Sequence, residues 1–579
     1  MSGLEYRIML QQWIYVFLLM FGHSLSANIR VSRDAALNEF IILHNNDMHA
    51  RFEQTSRNGG VCSRYDTSKD KCFGGIARVA HEVRRHREEA KNGGTPVLYL
   101  NAGDTYSGTA WFTLFRENIT SAFLNKLQPD AMSLGNHEFD ETIQSVVPFL
   151  NALSFPVLVS NMDMTNEPEL LATNKLSNST VLNVNGVKVG IIGYLTNQTK
   201  DDAHINVEFK DEVESINTEA TKLKDKGINI IIALGHSGYQ KDLEIARDCP
   251  EVDIVIGGHS HTFLDSSQPV ADIADTNPEA VRGPYPTTVT QSSGKKVPVV
   301  QAYAYTKYLG KLKVQFDGDG NLVSFDGSPI LLNASIAQEQ DVLDLLDAYR
   351  PAIAAIGERI IGFTKVDLEG GKVCRQRECN LGNLITDSMV YARVLENKGG
   401  DYWTDAAVAL MGGGGIRGPI DKNAEGSITL RDIMDVLPFT NRLVLTRISG
   451  QTLRNALERA ATLWSTDASG GFLQLSGIHV EYDFERGSGQ RVVSASVLCA
   501  QCRIPSYSAL NETDFYNIIT TDFVLSGGDG FELLEKENPH TEVLHKGDIE
   551  ALQQYLQRAP IVFPHLEERI VFKIATNTE

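Results

Sequence analysis

The sequence has no surplus of basic charge. Its 579 residues carry 53 Lys and Arg against 73 Asp and Glu, a formal net charge of −20 and a pI near 5.2. Nucleic acid is thereby excluded as a bulk partner, because that binding rests on phosphates neutralised by basic patches. An anionic substrate would need metal ions or a few placed arginines. Membrane-spanning length is missing too. The apolar run "WIYVFLLMFG" at 13–22 falls short of the roughly 20 residues that a span requires. It lies between Arg7 and the small residues of "HSLSA", the pattern of a secretory signal cleaved near Ser26. The closing "HLEERIVFKIATNTE" is charged and lacks the hydrophobic tail of a lipid-anchor signal. The expectation is a soluble, secreted chain with signal 1–26 and no membrane anchor. Sequons at Asn118, Asn178, Asn197, Asn333 and Asn511 suit an extracellular glycoprotein.

Cysteine is scarce, with seven residues, and in a secreted chain disulfides are the first reading. Cys62/Cys72, Cys374/Cys379 and Cys499/Cys502 form three close pairs and leave Cys249 alone. The rival is a zinc ribbon built from the last four, since Cys-x-x-Cys is also a metal spacing. Only one of those two pairs has that tight spacing. With 42% hydrophobic and 22% charged residues the composition is that of a globular chain, and its length predicts two or three domains.

What the chain does have is one arrangement used five times. "FIIL" at 40–43 runs into "HNNDMH", with Asp47 and His49. "VLYL" at 97–100 runs into "NAGD", with Asp104, and "AMSL" at 131–134 into "GNHEFD", with Asn136, His137, Glu138 and Asp140. "INIIIAL" at 228–234 precedes "GHSG", with His236, and "VDIVI" at 252–256 precedes "GGHSH", with His259 and His261. Helix-like segments such as "IARVAHEVRRHREEAKN" lie between some of these strands. Strands alternating with helices predict an α/β layered domain whose ligands sit beyond the carboxyl ends of the strands. A lone His after a strand is most often a hydrogen-bonded residue of no special function. Seven O and N donors from five strand ends suit two ions such as Zn²⁺ or Mn²⁺, the arrangement that clamps an in-line phosphoryl displacement.

Taken in order, "NNDMH", "GD", "GNHEFD", "GHSG" and "GGHSH" resemble the metallophosphoesterase signature. With "CRQRECNLGNLITD", "GGGIRGPID", "LPF" and "GGDGF" in the second half, the chain resembles the 5′-nucleotidase/apyrase family along nearly all its mature length. The resemblance implies an α/β sandwich catalytic domain at about 28–335. A connecting helix at 336–359 and an α/β nucleotide-binding domain at about 360–579 would follow. It assigns Asp47, His49 and His261 to one metal, Asn136, His236 and His259 to the other, and Asp104 to both. The ions would be zinc, with manganese, calcium or magnesium as alternatives. His137, held by Asp140, becomes the catalytic pair, and Arg51 is expected to reach a phosphate. Arg375 and Arg417 match phosphate contacts, Phe439 and Phe523 the aromatics that sandwich a base, and Asp529 the acceptor for ribose hydroxyls.

Two departures from the family pattern stand out. Gly412 replaces an Asn common before "GGGIR", and Thr386 and Ala409 replace a cysteine pair found in vertebrate membrane-anchored members. The leading functional expectation is a secreted apyrase that cleaves extracellular ATP and ADP. The alternatives are a 5′-nucleotidase converting AMP to adenosine, a UDP-sugar or cyclic-nucleotide phosphoesterase, and a non-catalytic nucleotide-binding protein.

Overall fold

The computed structural model describes residues 37–573, apart from 201–204, 272–276, 278, 398–400, 465–468 and 538–540. The expected signal at 1–26 lies outside the described residues. All five predicted strand runs form strands, as Asn38–Asn45, Val97–Asn101, Ala131–Ser133, Ile230–His236 and Ile254–Ile256. The first three pair in parallel inside a seven-stranded sheet, and the last two inside a six-stranded one. Every residue of Ile230–His236 is buried, which is why that run is continuously apolar rather than alternating.

Alternation does operate along Asn38–Asn45, and it sorts the chain between two cores. Phe40 and Ile42 pack with Ile191, Ile231 and Ile232 of the six-stranded sheet. Leu43 faces the other way, among residues of the helices Ile76–Lys91 and Ala110–Leu127. The two sheets thus stack face to face with helices outside, and the parallel strands end on one side. The antiparallel strands Tyr308–Phe316 and Leu322–Leu331, which extend the seven-stranded sheet beyond Asn38–Asn45, were not foreseen from the sequence.

The helix Gln340–Gly357 follows. Val342, Leu346 and Ile353 are buried at helical spacing, and the Tyr349 ring packs edge-on against Phe115 at 4.8 Å. They belong to one apolar cluster that continues through Leu368 and Ile433 to Leu556, so the two α/β domains share a continuous core beside this helix. The second domain is built on a five-stranded sheet that includes Val408–Gly412, Arg442–Ser449 and Phe515–Thr521. Smaller sheets and the helices Asn380–Glu396, Gly450–Leu463 and Asp548–Arg558 surround it.

The three cysteine pairs are disulfides, which removes the thiolates a zinc ribbon would need. Cys249 is buried and free, and burial, reinforced by Asp248, Asp211 and Glu244, pushes its thiol up to about 12. Such a thiol is inert while the protein is folded. Among the described residues no helix is long and apolar enough to cross a membrane. Asn118, Asn178, Asn197 and Asn511 are exposed, and Asn333 is half-buried.

Candidate active site

Each predicted metal donor sits at or just beyond the carboxyl end of a strand, and at five of the seven the backbone is strained. Asp47, His49, Asp104, His259 and His261 have φ of 50°, 48°, 56°, 77° and 49°, in the left-handed region that side chains other than glycine seldom occupy. Each such residue costs on the order of 1–3 kcal/mol and persists only where its surroundings over-determine it. Here the strain turns successive loops toward a common point.

Around that point the donor atoms crowd together. His236 Nε2 lies 2.9 Å from Asp104 Oδ2 and 3.6 Å from Asp47 Oδ1, while His49 Nε2 lies 3.6 Å from Asp104 Oδ2. His261 Nε2 is 3.1 Å from Asp47 Oδ1 and 3.0 Å from His49 Nε2. Asn136 Oδ1 and His259 Nδ1 are 3.0 Å apart. Among the described residues three groups of donors each fall within reach of a single ion, Asp47–His49–His261, Asp104–His236–His259 and His49–Asp104–His137. Asp47, His49 and His236 are fully buried. Yet Asp47 Oδ1 and His236 Nε2 make no hydrogen bond of acceptable geometry, and buried polar atoms left so are costly. The far nitrogens are well held, His49 Nδ1 donating to Ser107 O at 3.0 Å and His236 Nδ1 to Ala102 O at 2.6 Å. That fixes the tautomer and aims Nε2 inward, as metal-binding imidazoles require.

Protonation points the same way. Burial alone would raise Asp47 and Asp104, but the facing histidines outweigh it and hold both carboxyls below the ordinary value. Burial lowers His49, takes His259 to about 3 and takes His261 to about 4. At His236 burial is outweighed by Asp104 and Asp47, and the ring rises to about 10. Ionised carboxylates beside mostly neutral imidazoles are a donor set that suits divalent cations.

The glycine at the head of "GNHEFD" has a steric reason: a Cβ at Gly135 would collide with the Asp104 carboxylate. The loops bearing Asp104 and Asn136 therefore touch backbone to side chain, and Glu138 ties them. Its buried carboxylate accepts the N–H groups of Gly135, Asp104, Thr105 and Tyr106 and the Thr105 hydroxyl, at 2.6–3.2 Å. Glu138→Gln turns a donor toward this ring of donors. The expected result is a loss of about 2–4 kcal/mol in stability, read from urea unfolding, together with weaker metal retention.

His137 and Asp140 stand at the mouth of this cluster. His137 Nδ1 is 2.8 Å from both Asp140 oxygens, and its Nε2 is 3.9 Å from Asp104 Oδ2. Burial disfavours the charged ring, but Asp140 and Asp104 outweigh it and raise its pKa above the usual value. The ring lies nearly parallel to that of Phe439, 24° apart with centroids separated by 5.8 Å. Arg417 spans the same gap, with Nη2 3.0 Å from His49 Nε2 and Cζ 5.6 Å from the centre of the Phe439 ring. A single cleft of about 390 Å³ takes in Asp104, Asn136, His137, Asp140, His259 and His261 from the first domain. Arg375, Arg417, Phe439, Phe523 and Asp529 line it from the second. Phe523 stands on Gly528, where a Cβ would meet the ring at 2.5 Å.

Arg51, like Asp47, His49 and His236, does not itself line the cleft. Its buried guanidinium donates to the carbonyl oxygens of Gly108, His49 and Arg417, and lies 4.8 Å from the Tyr305 ring centre. Those acceptors and that ring hold it at the seam between the domains. It supports the backbone of Arg417 instead.

The comparisons with known proteins fit this geometry. Residues 40–263 match the calcineurin-like phosphoesterase family and residues 360–536 the 5′-nucleotidase C-terminal domain. The chain is 40% identical over 543 residues to snake venom 5′-nucleotidase of Crotalus adamanteus, covering 93% of this chain and 89% of that one. The chain belongs to the 5′-nucleotidase family. It is also 48% identical over 539 residues to protein 5NUC of Lutzomyia longipalpis, 92% of each chain being covered. Its two-domain α/β fold matches the crystal structure of a 5′-nucleotidase precursor from Thermus thermophilus, with a TM-score of 0.82 and 33% identity. That match covers 92% of this chain and 99% of the other. Membership makes this a metal-dependent nucleotide phosphohydrolase.

Three residues of this 5′-nucleotidase-family site escaped the sequence reading. Glu138 lay within a quoted motif but received no role. Tyr305, whose ring packs 5.3 Å from His261 and covers Arg51, carries no sequence signal, because its place depends on a loop folding back. Asn441, which also lines the cleft, follows "LPF" by two positions, and only its tertiary neighbours reveal it.

Proposed function

We propose that the chain is a secreted 5′-nucleotidase that hydrolyses the phosphate ester of nucleoside 5′-monophosphates, AMP foremost. The observation that carries this reading is the short span of the cleft, in which the His137 and Phe439 rings are 5.8 Å apart. In a monophosphate only the ribose separates the base from the reacting phosphorus, so a base stacked on Phe439 leaves that phosphorus near His137. The terminal phosphorus of ATP lies two phosphate groups further from its base. The expectation of ATP and ADP as the leading substrates therefore gives way to the AMP alternative, which the names of the relatives also favour. Secretion rests on the signal-like 1–26, the sequons and the venom relative.

In this reading Asp47, His49 and His261 hold one divalent ion and Asn136, His236 and His259 the other, with Asp104 serving both and zinc the leading candidate. When bound, such a pair supplies Lewis acidity toward the phosphoryl oxygens and the attacking water. Asp140 holds the Nδ1 proton of His137. Nε2 then carries a proton toward the phosphoryl group, where it offsets growing negative charge or passes to the departing 5′-oxygen. Arg375 and Arg417 grip the phosphate as planar donors, Phe439 and Phe523 stack the base, and Asp529 accepts from the ribose hydroxyls.

Phosphate release from AMP, ADP, ATP, UDP-glucose and a cyclic nucleotide tests the assignment. AMP is expected to have the highest kcat/KM. Faster release from ADP or ATP would restore the apyrase reading, and release from UDP-glucose or the cyclic nucleotide alone would overturn both.

A further inference from the structure

The helix Ala110–Leu127 starts without a cap of its own. Its first N–H groups have no partner inside the helix, and the side chain at the usual capping position, Thr109, donates instead to Ala50 O at 2.9 Å. The cap comes from the second domain. Asp435, a buried residue, accepts Ala110 N through Oδ1 at 2.6 Å, across 325 positions of sequence. A carboxylate on a backbone N–H is a charge-assisted hydrogen bond, among the stronger ones a protein makes. Arg431, one turn back, has its Nε 3.9 Å from Asp435 Oδ2, and its Nη2 donates to Glu53 Oε2 of the first domain at 2.5 Å.

The same few residues carry Phe439. Asp435 lies in the last turn of the helix Leu430–Val436, which Leu437 N closes by donating to Ile433 O at 2.9 Å. Only Leu437 and Pro438 then separate the helix from Phe439, and the proline ring fixes its own φ. Pro438 O stands 3.3 Å from the Thr113 hydroxyl, which Thr109 O shares, and Thr113 lies one turn beyond Ala110 on the first-domain helix. Within its own domain the segment is tied through Val436 O, which accepts Arg417 N at 2.8 Å. Contacts from the first domain therefore bracket the approach to Phe439, whose ring lies 5.8 Å from that of His137.

We propose that Asp435 is a positioning residue for nucleotide hydrolysis: by capping the helix Ala110–Leu127 from the second domain, it holds Phe439 where a base can stack on it while the phosphate reaches the metal donors. The proposal rests on the reading of the cleft as a nucleotide site. Asp435 touches no substrate and acts through the segment that it anchors. A stacking contact that persists unchanged through the reaction lowers KM without raising kcat. Loss of the anchor is therefore read in KM, whereas a smaller folded fraction is read in kcat.

The test is steady-state hydrolysis of AMP by metal-loaded preparations, with kcat and KM taken separately. Asp435→Ala should raise KM roughly tenfold, the order of one base-stacking contact, and leave kcat and bound metal near native. Ala110→Pro removes the capped N–H from the other side, at a first helical position that proline tolerates, and should raise KM in the same way. Asp435→Asn keeps an oxygen for Ala110 N and should lie between the native chain and Asp435→Ala. Adding Asp435→Ala to Phe439→Ala should leave KM no higher than Phe439→Ala alone, because the two changes act through one ring. An unchanged KM in Asp435→Ala and Ala110→Pro, with or without a fall in kcat, would make the contact purely structural and overturn the proposal. Effects that add in the double variant would overturn it too, since Asp435 would then act elsewhere than through Phe439. Both results leave the AMP assignment intact. A native chain that hydrolyses no AMP would overturn the nucleotidase reading and the proposal with it.

Discussion

Asp104→Ala is expected to abolish turnover and to lower the bound metal at both positions. Asp104 Oδ2 is the oxygen that approaches both donor groups, 2.9 Å from His236 Nε2 and 3.6 Å from His49 Nε2. The same carboxylate, through Oδ1, accepts His137 N at 3.0 Å, so its removal also loosens the loop that carries the catalytic pair. A metal clamp contributes several kcal/mol of charge stabilisation, and at about 1.4 kcal/mol per decade of rate the loss should reach at least about 10³-fold. His261→Ala removes a donor from one group only and should cost less. Atomic emission and steady-state kinetics on the same samples check both variants. Exhaustive chelation of the native chain should give the same inactivity, with Zn²⁺ or Mn²⁺ restoring it. Two ions per chain and undiminished turnover in Asp104→Ala would refute the shared position.

His137→Ala should separate chemistry from metal binding. The ring touches Asp140 through Nδ1 and turns Nε2 toward Asp104 and the cleft, but its donors also lie within reach of a single ion together with His49 and Asp104. If it is the proton-bearing group, turnover falls by roughly two to four orders of magnitude while metal content stays near native. If metal content falls in step with turnover, His137 is a ligand and the donor grouping must be redrawn. Asp140→Asn provides the companion measurement. It keeps the size of the side chain but removes the anion that stabilises a charged ring, so it should lower turnover by less than His137→Ala and leave the metals in place.

Much of this site was legible before folding was considered. A polar cluster after each of five apolar runs is a local pattern, and chain direction alone delivers those clusters to one edge of parallel strands. The pairing of the cysteines was legible for a similar reason, since each pair is close in sequence. Arg51 was expected at a phosphate from the family resemblance and its place two positions after His49, and sequence proximity does not say which way its side chain turns. Between them stands Ala50, at φ 51°, and two residues along such a backbone need not face the same way. The antiparallel strands at 308–331 were missed because no single-sequence pattern says which sheet edge an additional hairpin joins.

Substrate preference lies on the other side of the same divide. The sequence by itself determined the donor types and the number of metal positions they suit, because each depends on residue identity and short-range spacing, and its family resemblance supplied the two-domain α/β plan. Only the tertiary structure decided that Phe439 comes within 5.8 Å of His137, that Arg51 faces carbonyl oxygens, and that Asp435 caps a helix of the other domain. Several of those contacts join residues roughly 300 to 370 positions apart. Their distances follow from how two domains pack around a shared core, and that packing is a sum over many side chains that no short motif encodes.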